Sequence, residues 1–337
     1  MQTARPILIA CALLIAAGAA VAKPVKTLDD GRAGAVEFES LTFPMGSGPV
    51  SGLNVADHDA KPVVVSGKVT IPKGAGRVPA VILLHGCSGI TPVQTMWAYE
   101  LDRLKIATFV VDAFDGRGIR ELCTARQRLN GLSLVADAYR ALDLLATHPR
   151  IDRTHIALMG FSMGGRTALW ASYARFRTRW SRPDDAQFAA YLPFYPAVSW
   201  LRIRGDDDVG TRPIRIFQGA ADDWTPLGPI DGYVTRLRNA GHGNISLIAY
   251  EGAHHGFDNP RGAYPSARYA DAANPSRCIF VEQANGELLE AETGRPASLD
   301  LPCLSRGATT GYHPQAYEKA LVDVKAFLSE VFGQSFK

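Results

Sequence analysis

Apolar residues gather in short runs along this chain, and the runs recur at regular intervals. "PAVILLHG" (79–86), "ATFVVDAF" (107–114) and "HIALMGF" (155–161) are nearly continuous in apolar character. Runs of this length, without polar alternation, predict strands covered on both faces in a parallel sheet. "AAYLPFY" (189–195), "IRIFQG" (214–219) and "ISLIAYE" (245–251) add three more. Between them the period lengthens to that of a helix: Trp97, Leu101 and Leu104 share one face, as do Leu134, Ala138, Leu142 and Leu145 within 133–147. Tyr317, Leu321, Val324, Leu328 and Val331 predict the apolar stripe of a closing helix. Strands and helices alternating in this way predict an α/β fold, a mostly parallel central sheet with helices on both faces. Such sheets carry their sites at the carboxyl ends of the strands.

Two stretches depart from this rhythm. "PVVVSGKVTIP" (62–72) alternates, which predicts an antiparallel strand within an N-terminal β extension spanning about 23–75. Residues 258–314 are rich in Pro, Gly, Asn and Ser and predict an insertion, held by Cys278 and Cys303, into what is otherwise one domain.

The first residues have a different composition. Arg5 precedes an apolar stretch from Pro6 to Ala22 that ends in Ala20-Val21-Ala22. A cationic start, an apolar centre and a small-x-small site predict a cleaved signal peptide over 1–22, and hence a periplasmic or secreted protein without stable membrane insertion of the mature chain. In an oxidising compartment the four later cysteines predict two disulfides. Cys87 and Cys123 follow neighbouring parallel strands, whose carboxyl-end loops lie together, so the expected pairs are Cys87–Cys123 and Cys278–Cys303. A net charge of +3, with 20% charged residues, gives no reason to expect nucleic acid as a partner. No C-x-x-C pair or Cys/His cluster has zinc spacing. His254, His255 and Asp258 lack further ligands nearby, so neither a metal nor a cofactor is expected.

The chemistry concentrates at three strand ends. Gly160-Phe161-Ser162-Met163-Gly164 puts a serine on the turn between a buried strand and a helix. A hydroxyl needs a base, and the base a carboxylate, to act as a nucleophile near neutral pH. In a strand–elbow–helix arrangement these partners follow in the order Ser, acid, His. "FQGAADDWTPL" (217–227) supplies Asp222 and Asp223, and "YEGAHHGF" (250–257) supplies His254 and His255. The amides of Met163 and Cys87 are the expected oxyanion donors. His85, also at a strand end, is a rival base, but its His-Gly turn assigns it to shaping the loop.

"LLHGCSGI", "VVDAFDGRGIRELC", "GFSMGG", "GAADDWTP" and "EGAHHGF" together resemble the dienelactone hydrolase family, over about residues 78–258 and the final helix. The resemblance implies an α/β-hydrolase fold, Asp222 as the acid, His255 as the base and a small-molecule ester or lactone as substrate. Dienelactone hydrolases proper carry a cysteine nucleophile. Ser162 in its place shifts the expectation to a more general ester or lactone hydrolase, with a peptidase of the same fold and a non-catalytic binding protein as the alternatives. For the arginines with which that family holds a substrate carboxylate, the candidates here are Arg117, Arg120 and Arg166.

Overall fold

The computed structural model describes residues 23–45, 53–125, 128–182, 184–298 and 300–336, so the segment 1–22 lies outside it. In chain order the elements are β1 (Gly34–Thr42), β2 (Lys61–Thr70), β3 (Val78–Leu84), α1 (Pro92–Arg103), β4 (Ala107–Asp112), α2 (Gly131–Ala146) and β5 (Ile151–Phe161). They continue with α3 (Met163–Ser172), α4 (Ala174–Trp180), β6 (Phe188–Phe194), β7 (Leu201–Arg202), β8 (Ile214–Gly219), α5 (Leu227–Asn239) and β9 (Ile245–Tyr250). The last are β10 (Ala267–Asn274), β11 (Phe280–Glu282), β12 (Leu288–Glu290), β13 (Ser305–Thr310) and α6 (Pro314–Phe332).

Eight strands form one sheet in the order β1-β2-β4-β3-β5-β6-β8-β9. The six from β4 to β9 run parallel, while β2 is antiparallel to both β1 and β4. Both faces are covered, which explains the continuous apolar runs. Along β3, Ala80, Ile82 and Leu84 point into one layer with α2, α3 and α5, and Val81 and Leu83 point into the other with α1 and α6. Burying one large apolar side chain contributes about 1.5–3 kcal/mol, and Trp97, Tyr139 and Phe217 are among those fully enclosed.

Helix α6 corrects its predicted stripe. It buries Ala316, Ala320, Val324, Phe327, Leu328 and Phe332, leaving Leu321 and Val331 only partly covered. Small alanines let the helix lie close to the sheet, so the contact line runs through them rather than through Tyr317 and Leu321.

The inserted segment is also more regular than its composition predicts. It carries β10 and β13 as an antiparallel pair, and β12-β11 extended by β7 from the body. Two of these strands are only three residues long, too short to show a period in sequence. Cys278–Cys303 closes this segment, and Cys87–Cys123 joins the loops after β3 and β4. No helix among the described residues is long and apolar enough to cross a membrane.

Candidate active site

Strand β5 ends at Phe161 and α3 begins at Met163, so Ser162 alone turns the chain. Its backbone sits at φ 55° and ψ −109°, a conformation that costs on the order of 1–3 kcal/mol for a residue with a side chain. The surroundings hold it there. The Ser162 amide donates to the Phe194 carbonyl at 2.9 Å, and its own carbonyl accepts from Arg166 at 2.9 Å and Ala197 at 3.1 Å. The flanking glycines are steric requirements: a Cβ on Gly160 would lie 2.1 Å from the Gly164 oxygen, and one on Gly164 2.5 Å from the Leu84 oxygen.

The turns after β8 and β9 bring Asp222 and His255 to this serine. Ser162 Oγ lies 2.9 Å from His255 Nε2, and His255 Nδ1 lies 2.8 Å from Asp222 Oδ2. With Asp222 ionised, His255 Nδ1–H donates to the carboxylate, leaving Nε2 to accept the serine proton. The imidazole is buried between the rings of Tyr195 and Trp224, at centroid distances of 4.7 and 4.9 Å.

Asp222 is saturated with donors. Oδ1 accepts the amides of Trp224 and Thr225, each at 2.8 Å. Oδ2 accepts the Thr225 hydroxyl at 2.7 Å and Gln218 Nε2 at 3.2 Å, besides His255. Burial pushes this carboxyl up, but His255 and the Thr225 donors outweigh it and hold the group below its ordinary range. It is built to stay charged.

The neighbouring candidates go elsewhere. Asp223 accepts the Thr309 amide and hydroxyl at 2.7 and 2.9 Å, tying the acid turn to β13. His254 Nδ1 donates to the Ala221 carbonyl at 2.8 Å. His85 is buried, its Nδ1–H donating to Gly86 O at 2.8 Å while Nε2 accepts the Ala113 amide at 3.1 Å. Burial lowers its pKa, and the neutral ring pins the loop after β3 to the loop after β4. Asp258, also fully buried, accepts Trp97 Nε1 and the Tyr195 hydroxyl, each at 2.7 Å, and so fixes the tyrosine that flanks His255.

The three arginines separate as clearly. Arg117 makes a buried two-pronged ion pair with Asp137, both contacts at 2.8 Å, and braces β1 through Leu41 O and Thr42. Arg120 is exposed and lines neither cleft at Ser162. Arg166 is 8% exposed and stacks over Trp170 at 4.9 Å in the wall of the cleft that holds Ser162. Its Nε has no hydrogen-bond partner, and among the described residues no carboxylate pairs with it. Burial pushes the guanidinium down to about 10.

Two clefts of similar enclosed volume meet at Ser162; counted with their open mouths they hold about 1000 and about 720 Å³, the first having the larger mouth. Cys87 lines both and Met163 the larger. Met163 opens α3, whose first amides have no acceptor within the helix. The sequence reading missed Gln218 and Thr225, which hold the acid, and Trp224, which stands between the clefts. Thr225 was discoverable, because Asp-x-x-Thr is a local side-chain hydrogen-bonding pattern.

Residues 65–282 match the model of the dienelactone hydrolase family. The chain belongs to that family. As a dienelactone hydrolase family member it is a hydrolase of esters or lactones. A probable 2-oxo-3-(5-oxofuran-2-ylidene)propanoate lactonase of Bradyrhizobium sp. is 24% identical over 202 residues, which cover 57% of this chain and 79% of that protein. Among solved structures, a dienelactone hydrolase-like promiscuous phosphotriesterase from metagenomic libraries shares 15% identity, with a TM-score of 0.55, covering 88% of this chain and 99% of the other. Thermogutta terrifontis esterase 2 phosphorylated by paraoxon shares 19% identity with a TM-score of 0.51, covering 86% and 96%. At these identities the two structures speak for the fold.

Proposed function

We propose that this dienelactone hydrolase family member cleaves carboxylic esters or lactones through an acyl-enzyme on Ser162, with His255 as base and Asp222 as its orienting acid. The observation that carries the reading is the chain of contacts from Ser162 Oγ through His255 to Asp222, at 2.9 and 2.8 Å. Ser162 Oγ attacks the carbonyl carbon while its proton passes to His255 Nε2. The oxyanion of the tetrahedral intermediate takes hydrogen bonds from the amides of Met163 and Cys87. The C–O bond then breaks, and His255 returns the proton to the departing oxygen. Water attacks the acyl-serine by the same route, and the acid is released. With a lactone, the departing hydroxyl stays attached and the product is a hydroxy acid.

Arg166 gives this site a preference for substrates bearing an anion. A buried guanidinium without a counter-charge is costly, and a substrate carboxylate one helical turn from Ser162, roughly 6 Å along α3, relieves that cost. The signal-like segment 1–22 and the two disulfides support export to the periplasm or medium.

A fluorophosphonate probe tests the nucleophile: it is expected to label the protein once, at Ser162, and to block ester turnover. Labelling at another residue, or turnover that survives labelling, overturns the assignment. Amide substrates run in parallel are expected to be far poorer than matched esters, which separates this reading from a peptidase.

A further inference from the structure

The two clefts that meet at Ser162 differ in what lines them. Leu129, Met163 and Trp200 of the body and Phe280, Ala297 and Leu304 of the inserted segment wall the larger. Gln94, Asn259, Thr310 and His255 line the smaller, which is the more polar in residue type. Trp224 borders both, its indole Nε1–H fixed on the Ala273 carbonyl at 3.0 Å. His255 lines the second of these clefts and not the first.

That asymmetry orients the substrate. The group that returns a proton to the departing oxygen must come within hydrogen-bond reach of it, about 2.6–3.2 Å. The alcohol half of an ester accordingly departs through the cleft containing His255. The acyl half stays on Ser162 and occupies the other. Resting on the acyl-enzyme reading above, we infer that Phe280, Ala297 and Leu304 of the inserted segment form an acyl-binding wall, and that the enzyme favours open-chain esters whose acid is apolar toward this wall, with any carboxylate at Arg166, and whose alcohol is polar and hydroxyl-bearing.

Three further observations fit this orientation. The insertion gives the acyl side the apolar Phe280, Ala297 and Leu304, and gives the other cleft Asn259, Tyr269 and Thr310. Cys278–Cys303 closes the part of the segment that carries β11 and β12, and β11 is joined to the body through β7 and the Arg175–Glu282 ion pair at 2.7 Å. Arg166 also lies on this side, so the anion it accepts belongs to the acid rather than to the alcohol. A small lactone reaches both clefts with one ring and uses little of the larger one.

Two series of esters read the orientation. The first varies the acid at constant methanol, from acetate through butyrate to 3-phenylpropanoate. The second varies the alcohol at constant propanoate, from methyl and glyceryl to hexyl. In the wild-type enzyme kcat/KM is expected to rise at least about tenfold along the first series, the scale of added apolar contacts in a fitted pocket. It is expected to stay level or fall from glyceryl to hexyl in the second. Leu304→Trp, at the half-buried rim of the larger cleft, is expected to lower the phenylpropanoate-to-acetate ratio at least about tenfold while moving the hexyl-to-methyl ratio less than twofold. A rise along the alcohol series, or a Leu304→Trp effect on the alcohol ratio instead of the acyl ratio, overturns the orientation. The wild-type series decide the matter even where the variant does not fold. Ser162→Ala distinguishes the two levels: methyl acetate turnover that persists in it overturns the acyl-enzyme reading itself, whereas its loss together with a reversed series overturns the orientation alone.

Discussion

Asp223 binds Thr309 at both its amide and its hydroxyl, at 2.7 and 2.9 Å, so the turn that carries Asp222 is fastened to β13 of the inserted segment. Two adjacent acids thus face different partners. Asp222→Asn is expected to lower kcat about 10⁴-fold, because an amide stabilises the wrong histidine tautomer. Asp223→Asn weakens one link to β13 and is expected to cost about 1 kcal/mol of stability with a far smaller change in kcat. Steady-state kinetics and thermal melts of the two variants check the ranking, and the reverse order contradicts it.

The Cys87–Cys123 bridge lies in the wall of the catalytic cleft. Closing a loop across a sequence separation of 36 stabilises a fold by about 4 kcal/mol in the chain-entropy model. Its loss is expected to lower activity as well as stability. With the Cys87 amide no longer held in place, kcat is expected to fall about 10²–10³-fold, the cost of one oxyanion donor. Reduction of the folded enzyme, or Cys123→Ser, followed by kinetics tests this, and an unchanged kcat contradicts it.

Arg166 is expected to discriminate between charged and neutral acids. Arg166→Met leaves volume in the wall but removes the charge, so kcat/KM for a dicarboxylic half-ester is expected to fall about 10–100-fold relative to its neutral diester, on the scale of one desolvated charge-assisted contact. Loss of both substrates in equal proportion contradicts a role in anion binding.

Asp143, half-buried on α2, gives a pH dependence of stability. Burial first, and Asp185 next to it, push its carboxyl up to about 6 against the opposing pull of Arg140. The folded pKa is above the unfolded one, so the fold favours the neutral acid. The penalty is absent below about pH 4, grows between about pH 4 and 6 where only the unfolded chain ionises, and is constant above that. Partial exposure screens it, leaving about 1 kcal/mol. Asp143→Asn is expected to melt higher than wild type at pH 8 and alike at pH 4, and a constant difference across that range contradicts the assignment.

The parallel strands were legible because residues such as Ile82 and Leu83 are covered on opposite faces, which leaves a continuous apolar run. Ser162, Asp222 and His255 were legible because the elbow motif fixes the first and strand ends fix the others. The roof over the site was not. Glu282 is buried against Arg175, although a Glu in a Gly- and Asn-rich stretch reads as solvated, and three-residue strands leave no period to detect. Asp223 likewise gave no sign in sequence of where it binds. Its partner is Thr309, on β13 and remote in sequence, a contact that spacing does not encode.

The central claim is that Ser162 Oγ carries the acyl group. The measurement that tests it most directly is the intact mass of the enzyme quenched during turnover of a slowly released ester, with peptide mapping, alongside the kinetics of Ser162→Ala. The account predicts a mass gain of one acyl group located on Ser162, and a kcat about 10⁴–10⁶-fold lower in the variant with its fold retained. An adduct on another residue, or a Ser162→Ala enzyme that keeps about a tenth of wild-type turnover, would contradict it.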